Sequence, residues 1–234
     1  MTILCIETST SVCSAAISKD GAPIKQLMNR EGSNHARLLP LYIEQLLSFA
    51  RAQALTIEAV ALSEGPGSYT GLRIGTSTAK GLCYGLNVPL IPVPTLEVLC
   101  EAAKENTKYR LQSTDLLCPM IDARRMEVYT EVKGESLEVK GVRAVVVENE
   151  ESLIGEAEVN GARDIYYFGD GAEKCQKVIT QPNWHYIPDI VPEARFVGTL
   201  AEQRSNVQAV DLAYYEPYYL KEFIAAQSHV KGLK

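Results

Sequence analysis

An α/β fold made of two halves on one plan is predicted by three observations. Strand-like apolar runs alternate with helix-length segments along most of the 234 residues. Two of those runs, Ile3-Leu4-Cys5-Ile6-Glu7 and Leu117-Cys118-Pro119-Met120-Ile121-Asp122, end on a carboxylate and lead into a second strand and a charged turn. Two apolar runs feed glycine corners, Gly65-Pro66-Gly67 and Gly169-Asp170-Gly171. Strands interleaved with helices after an antiparallel opening belong to α/β architecture.

Residues 2–7 read as a buried strand, and Val12–Ser18 alternates loosely before the Lys19-Asp20-Gly21 hairpin signal. Residues 22–28 complete a three-strand meander. Ser33-Asn34 offers a cap for a helix over 35–51, with Pro40 inside it as an expected bend. This helix carries two apolar stripes: Ala36, Leu39, Ile43, Leu46/Leu47 and Ala50, and then Leu38, Leu41/Tyr42 and Phe49. One stripe docks a helix on a sheet, and the second calls for another partner.

Strand 59–63 runs into Ser63-Glu64-Gly65-Pro66-Gly67-Ser68-Tyr69-Thr70-Gly71-Leu72-Arg73-Ile74-Gly75, followed by a helix over 71–86. Small residues at Gly71, Gly75, Thr78/Ala79, Gly81 and Gly85 line that helix. Each interior helix glycine costs on the order of 1 kcal/mol against alanine, so close approach of a second helix is expected. Strand 88–93 and helix 95–104 end the first half, and polar residues 104–114 read as a linker. The second half has strands at 117–122, 126–132 and 142–147, a helix at 150–158, strand 165–168 with its glycine corner, and a helix at 193–206. Expected domains are 1–104 and 115–210, with an aromatic helix over about 211–226 packing back on the first.

Hydrophobic residues make up 46% of the chain, enough for a sizeable core. The formal charge of −6 argues against a main nucleic-acid surface. Met1–Glu7 lacks the basic region of a signal peptide, and 88–93 is too short and proline-rich to span a bilayer, so a cytosolic protein with six reduced cysteines is expected.

Familiar catalytic patterns are missing. The glycine loop has no Gly-Lys-Ser/Thr ending and the wrong spacing for Gly-x-Gly-x-x-Gly. His35, His185 and His229 form no metal-binding pair, and no Gly-x-Ser-x-Gly elbow is present. Glu7 has two readings, a Mg²⁺-holding carboxylate or a turn cap, and Asp122 beside Arg124 and Arg125 is read as a turn residue.

Three early motifs are similar to those of the bacterial TsaB (YeaZ) family: Ile3–Thr10, His35-Ala36-Arg37-Leu38-Leu39-Pro40 and Gly65–Gly75. Ile121-Asp122-Ala123-Arg124, Glu127-Val128-Tyr129 and Glu216-Pro217-x-Tyr219-Leu220 continue the family's order. The resemblance implies two actin-like (ASKHA, RNase H-type) domains. It implies a non-catalytic scaffold in a complex that installs N6-threonylcarbamoyladenosine at position 37 of tRNAs reading adenine-first codons. The implied partners are a catalytic, metal-binding TsaD-like subunit, a TsaE-like ATPase and, when the chain is alone, a second copy of itself. Transfer RNA is met only through the complex, and no membrane is involved.

Two helices carry the implied interface: His35, Leu38, Leu39, Tyr42 and Leu46 on the first, and Gly71, Arg73, Ile74, Gly75, Thr78 and Leu82 on the second. Glu7, Thr8 and Ser9 with Gly169, Asp170 and Gly171 stand as vestigial nucleotide loops. No metal and no cofactor held tightly by the chain alone is implied, with ATP or ADP admitted only at the subunit contact. The alternative reading is an independent ATPase or small-molecule kinase of the same fold. A metallopeptidase finds no support in the residues.

Overall fold

β1 (Thr2–Glu7) is buried along its whole length because it pairs on both sides. It runs antiparallel to β2 (Cys13–Lys19) and parallel to β4 (Ala59–Gly65). β3 (Ala22–Asn29) flanks β2 at one edge and β5 (Leu90–Pro94) flanks β4 at the other, giving the order β3-β2-β1-β4-β5. The hairpin between β2 and β3 turns on Asp20 and Gly21, both at positive φ (53° and 79°), the backbone that suits a two-residue turn to twisted strands. The computed structural model describes residues 1–32, 34–106, 108–134, 137–154, 164–204 and 210–221, with the backbone alone at 137–140.

β6 (Leu116–Asp122), β7 (Glu127–Gly134), β8 (Leu137–Val146), β9 (Ile165–Phe168) and β10 (Trp184–Ile187) form a second sheet in the order β10-β9-β6-β7-β8. β6 is antiparallel to β7 and parallel to β9, as β1 is to β2 and β4. The duplication expected from the strand-end carboxylates is therefore a repeat of topology. β10 was not foreseen, because four residues behind Gln181-Pro182-Asn183 give too short a pattern to read.

α1 (His35–Ala52) and α2 (Tyr69–Leu86) lie side by side on one face of the first sheet. Leu39, Ile43, Leu46 and Ala50 of α1 enter the core with Leu4, Ile6, Val60 and Leu62. Each leucine buried this fully contributes roughly 1.5–3 kcal/mol. Asn34 stands at the N-cap without a side-chain bond, contrary to the expected cap, and Ser33 lies outside the described residues. The helix runs through Pro40. α2 starts two residues before the expected Gly71, because the Ser68 hydroxyl accepts the Gly71 N–H at 3.4 Å. It ends at Asn87 in the left-handed conformation, φ 55°.

α3 (Thr95–Glu105) and α5 (Ala194–Gln203) share a core with the opposite face of that sheet and with Ile121, Phe168 and Ile187 of the second. α5 lies within the span 115–210 expected for the second domain. α5 packs on β1, β2 and β3 of the first half, where Ser14 Oγ accepts the Ala194 N–H at 2.9 Å. α4 (Glu150–Ile154) is the described part of the expected helix 150–158, since 155–163 lie outside the described residues. After Gly169-Asp170-Gly171 the chain makes a 3-10 turn, Glu173–Lys177. The tail is corrected as well: residues 210–221 pack on the first half without forming a helix, and 222–234 lie outside the described residues.

Candidate functional site

Four strand ends converge on the cleft between the halves. The loops after β1, β4, β6 and β9 line a cavity of about 460 Å³, and Tyr218–Lys221 of the tail form a further wall. At its base Glu7 is fully buried. Its Oε1 accepts the Ser9 N–H and the Ser9 hydroxyl, both at 2.5 Å. Its Oε2 has no hydrogen-bond partner, although the Ser63 hydroxyl lies beside the carboxyl. Burial drives the Glu7 pKa above the ordinary carboxylate range, with the nearby Ser63 hydroxyl and the Ser9 bonds opposing and the Asp170 charge adding to the rise. Among the described residues no three His, Cys, Asp or Glu side chains are grouped to hold a metal ion.

The first loop is tied to α2 rather than opened to the cleft. Ser68 N–H donates to the Ser9 carbonyl at 2.6 Å, and the Thr8 hydroxyl donates to the Gly71 carbonyl at 2.8 Å. A Cβ on Gly71 would overlap the Thr8 carbonyl oxygen, and one on Gly75 would overlap Thr8 Oγ1. A phosphate cradle needs amides aimed at the ligand, but here the Ser9 amide is held by Glu7.

Across the cleft, the Gly171 N–H donates to the Met120 carbonyl at 3.1 Å, and Asp170 Oδ1 accepts the Asp122 N–H at 3.0 Å. Asp170 is also raised in pKa, by burial first and then by the neighbouring Asp122 charge. Asp122 Oδ1 accepts the Arg124 N–H at 3.3 Å and pairs with Lys174, in keeping with its reading as a turn residue. Of these six loop residues Ser9 and Asp170 line the cleft, and each loop is braced within its own half.

Sequence reasoning missed the tail's part in this site. Tyr218 N–H donates to the Glu64 carbonyl at 2.8 Å. Tyr219 stacks on Tyr69 with ring centroids 4.9 Å apart, and its hydroxyl accepts from Arg73 at 3.3 Å. Lys221 reaches Glu127 of the second half at 2.6 Å. The signal was the run of tyrosines after 213, which alone says nothing about what they touch.

The second place is the outer face of α1 and α2, and here the candidate list divides. His35, Leu39, Leu46, Gly71 and Gly75 are buried within the chain, so they are not open surface. The close approach allowed by Gly71 and Gly75 is first with Thr8, with His35 of α1 also beside Gly71 and Leu62 beside Gly75. Arg73 lies on the tail side of α2, stacked over Tyr69. Leu38, Tyr42, Ile74, Thr78 and Leu82 remain half-buried on the outer face. Leu41 beside them is 48% exposed, and open space surrounds Gly81 and Gly85.

The chain matches the family model of TsaD, tRNA N6-adenosine threonylcarbamoyltransferase, over residues 29–226. It is 28% identical to the tRNA threonylcarbamoyladenosine biosynthesis protein TsaB of Haemophilus influenzae, over 94% of each chain. It is 28% identical to the Bacillus subtilis protein of that name, over 92% of this chain and 86% of the relative. Among solved structures it resembles YeaZ from Pseudomonas aeruginosa, with a TM-score of 0.76 at 24% identity, over 94% of this chain and 99% of that one.

Proposed function

Because the chain belongs to the TsaD family, and within it to the TsaB (YeaZ) group, we propose that it serves tRNA threonylcarbamoyladenosine biosynthesis as a non-catalytic docking subunit. The outer face of α1 and α2 binds a TsaD-like catalytic subunit, and a second copy of the chain takes that place when the partner is missing. A TsaE-like ATPase joins the pair. Transfer RNA is met through the complex, in the cytoplasm. Any ATP or ADP belongs to the subunit contact rather than to the cleft of this chain.

The observation that carries this reading is the helix pair. Both helices fill the core of their own sheet with one stripe; Leu38, Tyr42, Ile74 and Leu82 pack against that core but stay half-buried, and Leu41 stands exposed beside them. Apolar side chains grouped on a surface mark an interaction site. Supporting it, Glu7 Oε1 holds the Ser9 amide and hydroxyl where an ATPase of this fold would face phosphate. No helix among the described residues is long and apolar enough to cross a membrane.

The test is reconstitution. The chain mixed with the TsaD-like protein of the same organism elutes as one complex by size exclusion. Modified adenosine forms in tRNA only when the full set of partners is present. The chain alone, titrated calorimetrically with Mg-ATP, shows no turnover. Separate elution of the two proteins, or steady hydrolysis by the lone chain, would replace this reading with the ATPase.

A further inference from the structure

The tail crosses from the first half to the second along the wall of the cleft, and its two ends are held very differently. On the first half the hold is continuous. Leu212 and Tyr215 pack against the core that α1 and α2 share with their sheet, and Pro217 is buried. Lys80 of α2 donates to the carbonyls of Ala213 at 3.0 Å and Tyr215 at 3.2 Å. The bond from Tyr218 N–H to the Glu64 carbonyl lays the tail backbone against the corner after β4. A Cβ on Gly65 would lie 2.5 Å from the Tyr218 carbonyl oxygen, so this corner is shaped to the tail as well as to its own turn. Tyr219 then stacks on Tyr69 and accepts the Arg73 hydrogen bond.

On the second half, the hold among the described residues is one ion pair, Lys221 Nζ with both carboxylate oxygens of Glu127 at 2.6 Å. The Lys221 side chain is 47% exposed and that of Glu127 20%. A pair this open to water is screened by salt and biases an equilibrium only about two- to fivefold. The upstream hold combines main-chain hydrogen bonds with buried apolar surface, which salt does not screen. The weak end is also the one that matters for access. Tyr218–Lys221 wall the cavity of about 460 Å³, whose other side includes Ile121, Ala123 and Tyr129 of the second half.

We propose that residues 213–221 form a strap hinged on the first half, and that parting of Lys221 from Glu127 opens the cleft between the halves to solutes. The free end of the strap is fastened by the weakest contact the tail makes, which makes it a latch rather than a fixed wall. The device asks nothing of a partner subunit, so it stands or falls apart from the docking reading.

The test is the rate at which a thiol placed beneath the strap meets solvent. Ala123 lines the cavity, and the six native cysteines are all buried. Ala123→Cys in the full chain therefore gives one reactive site for dithiodipyridine, an uncharged thiol reagent. Adding Lys221→Ala should speed labelling about two- to fivefold at low salt. Adding Lys221→Arg instead, which keeps the pair, should leave the rate of Ala123→Cys unchanged. High salt should raise Ala123→Cys to the rate of its Lys221→Ala double variant and leave that variant where it was. Equal rates with and without Lys221→Ala, or labelling of Ala123→Cys that salt does not alter, would overturn the latch. A second measurement needs no added cysteine. In Lys221→Ala alone, hydrogen exchange at the Tyr218 amide should stay as slow as in the wild type, because its bond to Glu64 belongs to the hinge. Loss of that protection would mean that the tail has no fixed end, and would overturn the hinge.

Discussion

The two halves share a strand order and differ in what connects the strands. Between its third and fourth strands the first half carries α1, 18 residues long, and between its fourth and fifth the 18-residue α2. At the corresponding places the second half has the five-residue α4, followed by residues outside the described set, and a five-residue 3-10 turn. The second sheet nonetheless closes its own core, using Leu153, Cys175 and Trp184 against Val128, Met120 and Tyr167. Among the described residues, that core is closed without a helix as long as α1 or α2. The docking reading proposed above gives the length and second apolar stripe of α1 and α2 a use outside the chain.

The comparison is most exposed to failure at Gly71. If α2 is shaped first by its own half, Gly71→Leu forces a side chain into the Thr8 backbone and costs about 4 kcal/mol or more. That approaches the whole margin of a marginally stable domain, so loss of soluble, cooperatively melting protein is expected. A stable variant that only fails to assemble would return Gly71 to the subunit contact.

Leu82→Asp asks whether the outer stripe is external. It should reduce assembly about thirtyfold, close to 2 kcal/mol, as for a hot-spot side chain. Val146→Asp on β8, an exposed apolar residue of the second half, should leave assembly as it was. Equal effects of the two by analytical ultracentrifugation would remove the distinction between the halves.

A third test contrasts the carboxylates that end β1 and β6. Glu7 is buried and raised in pKa, whereas Asp122 is exposed and paired with Lys174. A folded chain that holds its proton more tightly than the unfolded chain loses stability as pH rises past the unfolded value near 4.5. Glu7→Gln keeps an acceptor for Ser9, removes that loss and raises the melting temperature at neutral pH, while Asp122→Asn has little effect. A destabilised Glu7→Gln would mean the carboxylate is used in its charged form.

The smallest effect is expected at the bridge between the halves. Lys221→Ala removes the pair with Glu127, partly exposed and worth about 0.2–1 kcal/mol, a shift measurable by denaturant titration.

What could be read from the sequence follows from what periodicity encodes. Alternation in Val128–Val132, the Asp20-Gly21 turn and the apolar run Ile3–Ile6 of β1 are local patterns, and each fell within a residue or two of its strand or turn. The double stripe on α1 was legible for the same reason. The partner of each small residue was not. Gly71 and Gly75 announce close approach, but nothing in their spacing distinguishes Thr8 of the same chain from a neighbouring helix. The destination of α5 was equally hidden, since its amphipathic pattern fits either sheet, and it is contacts with Ser14, Gln26 and Gly21 that tie it to the first. The tail's tyrosines declared burial without a direction.

The return of α5 to the first sheet also bears on how the protein is made. During synthesis β1 to β5 leave the ribosome with α1 and α2, but the opposite face of that sheet waits for Phe196, Val197 and Leu200, some hundred residues after β5. The nascent chain must keep an unfinished layer from sticking elsewhere until its far end arrives. The first half begins the fold and is among the last parts of the chain to be completed.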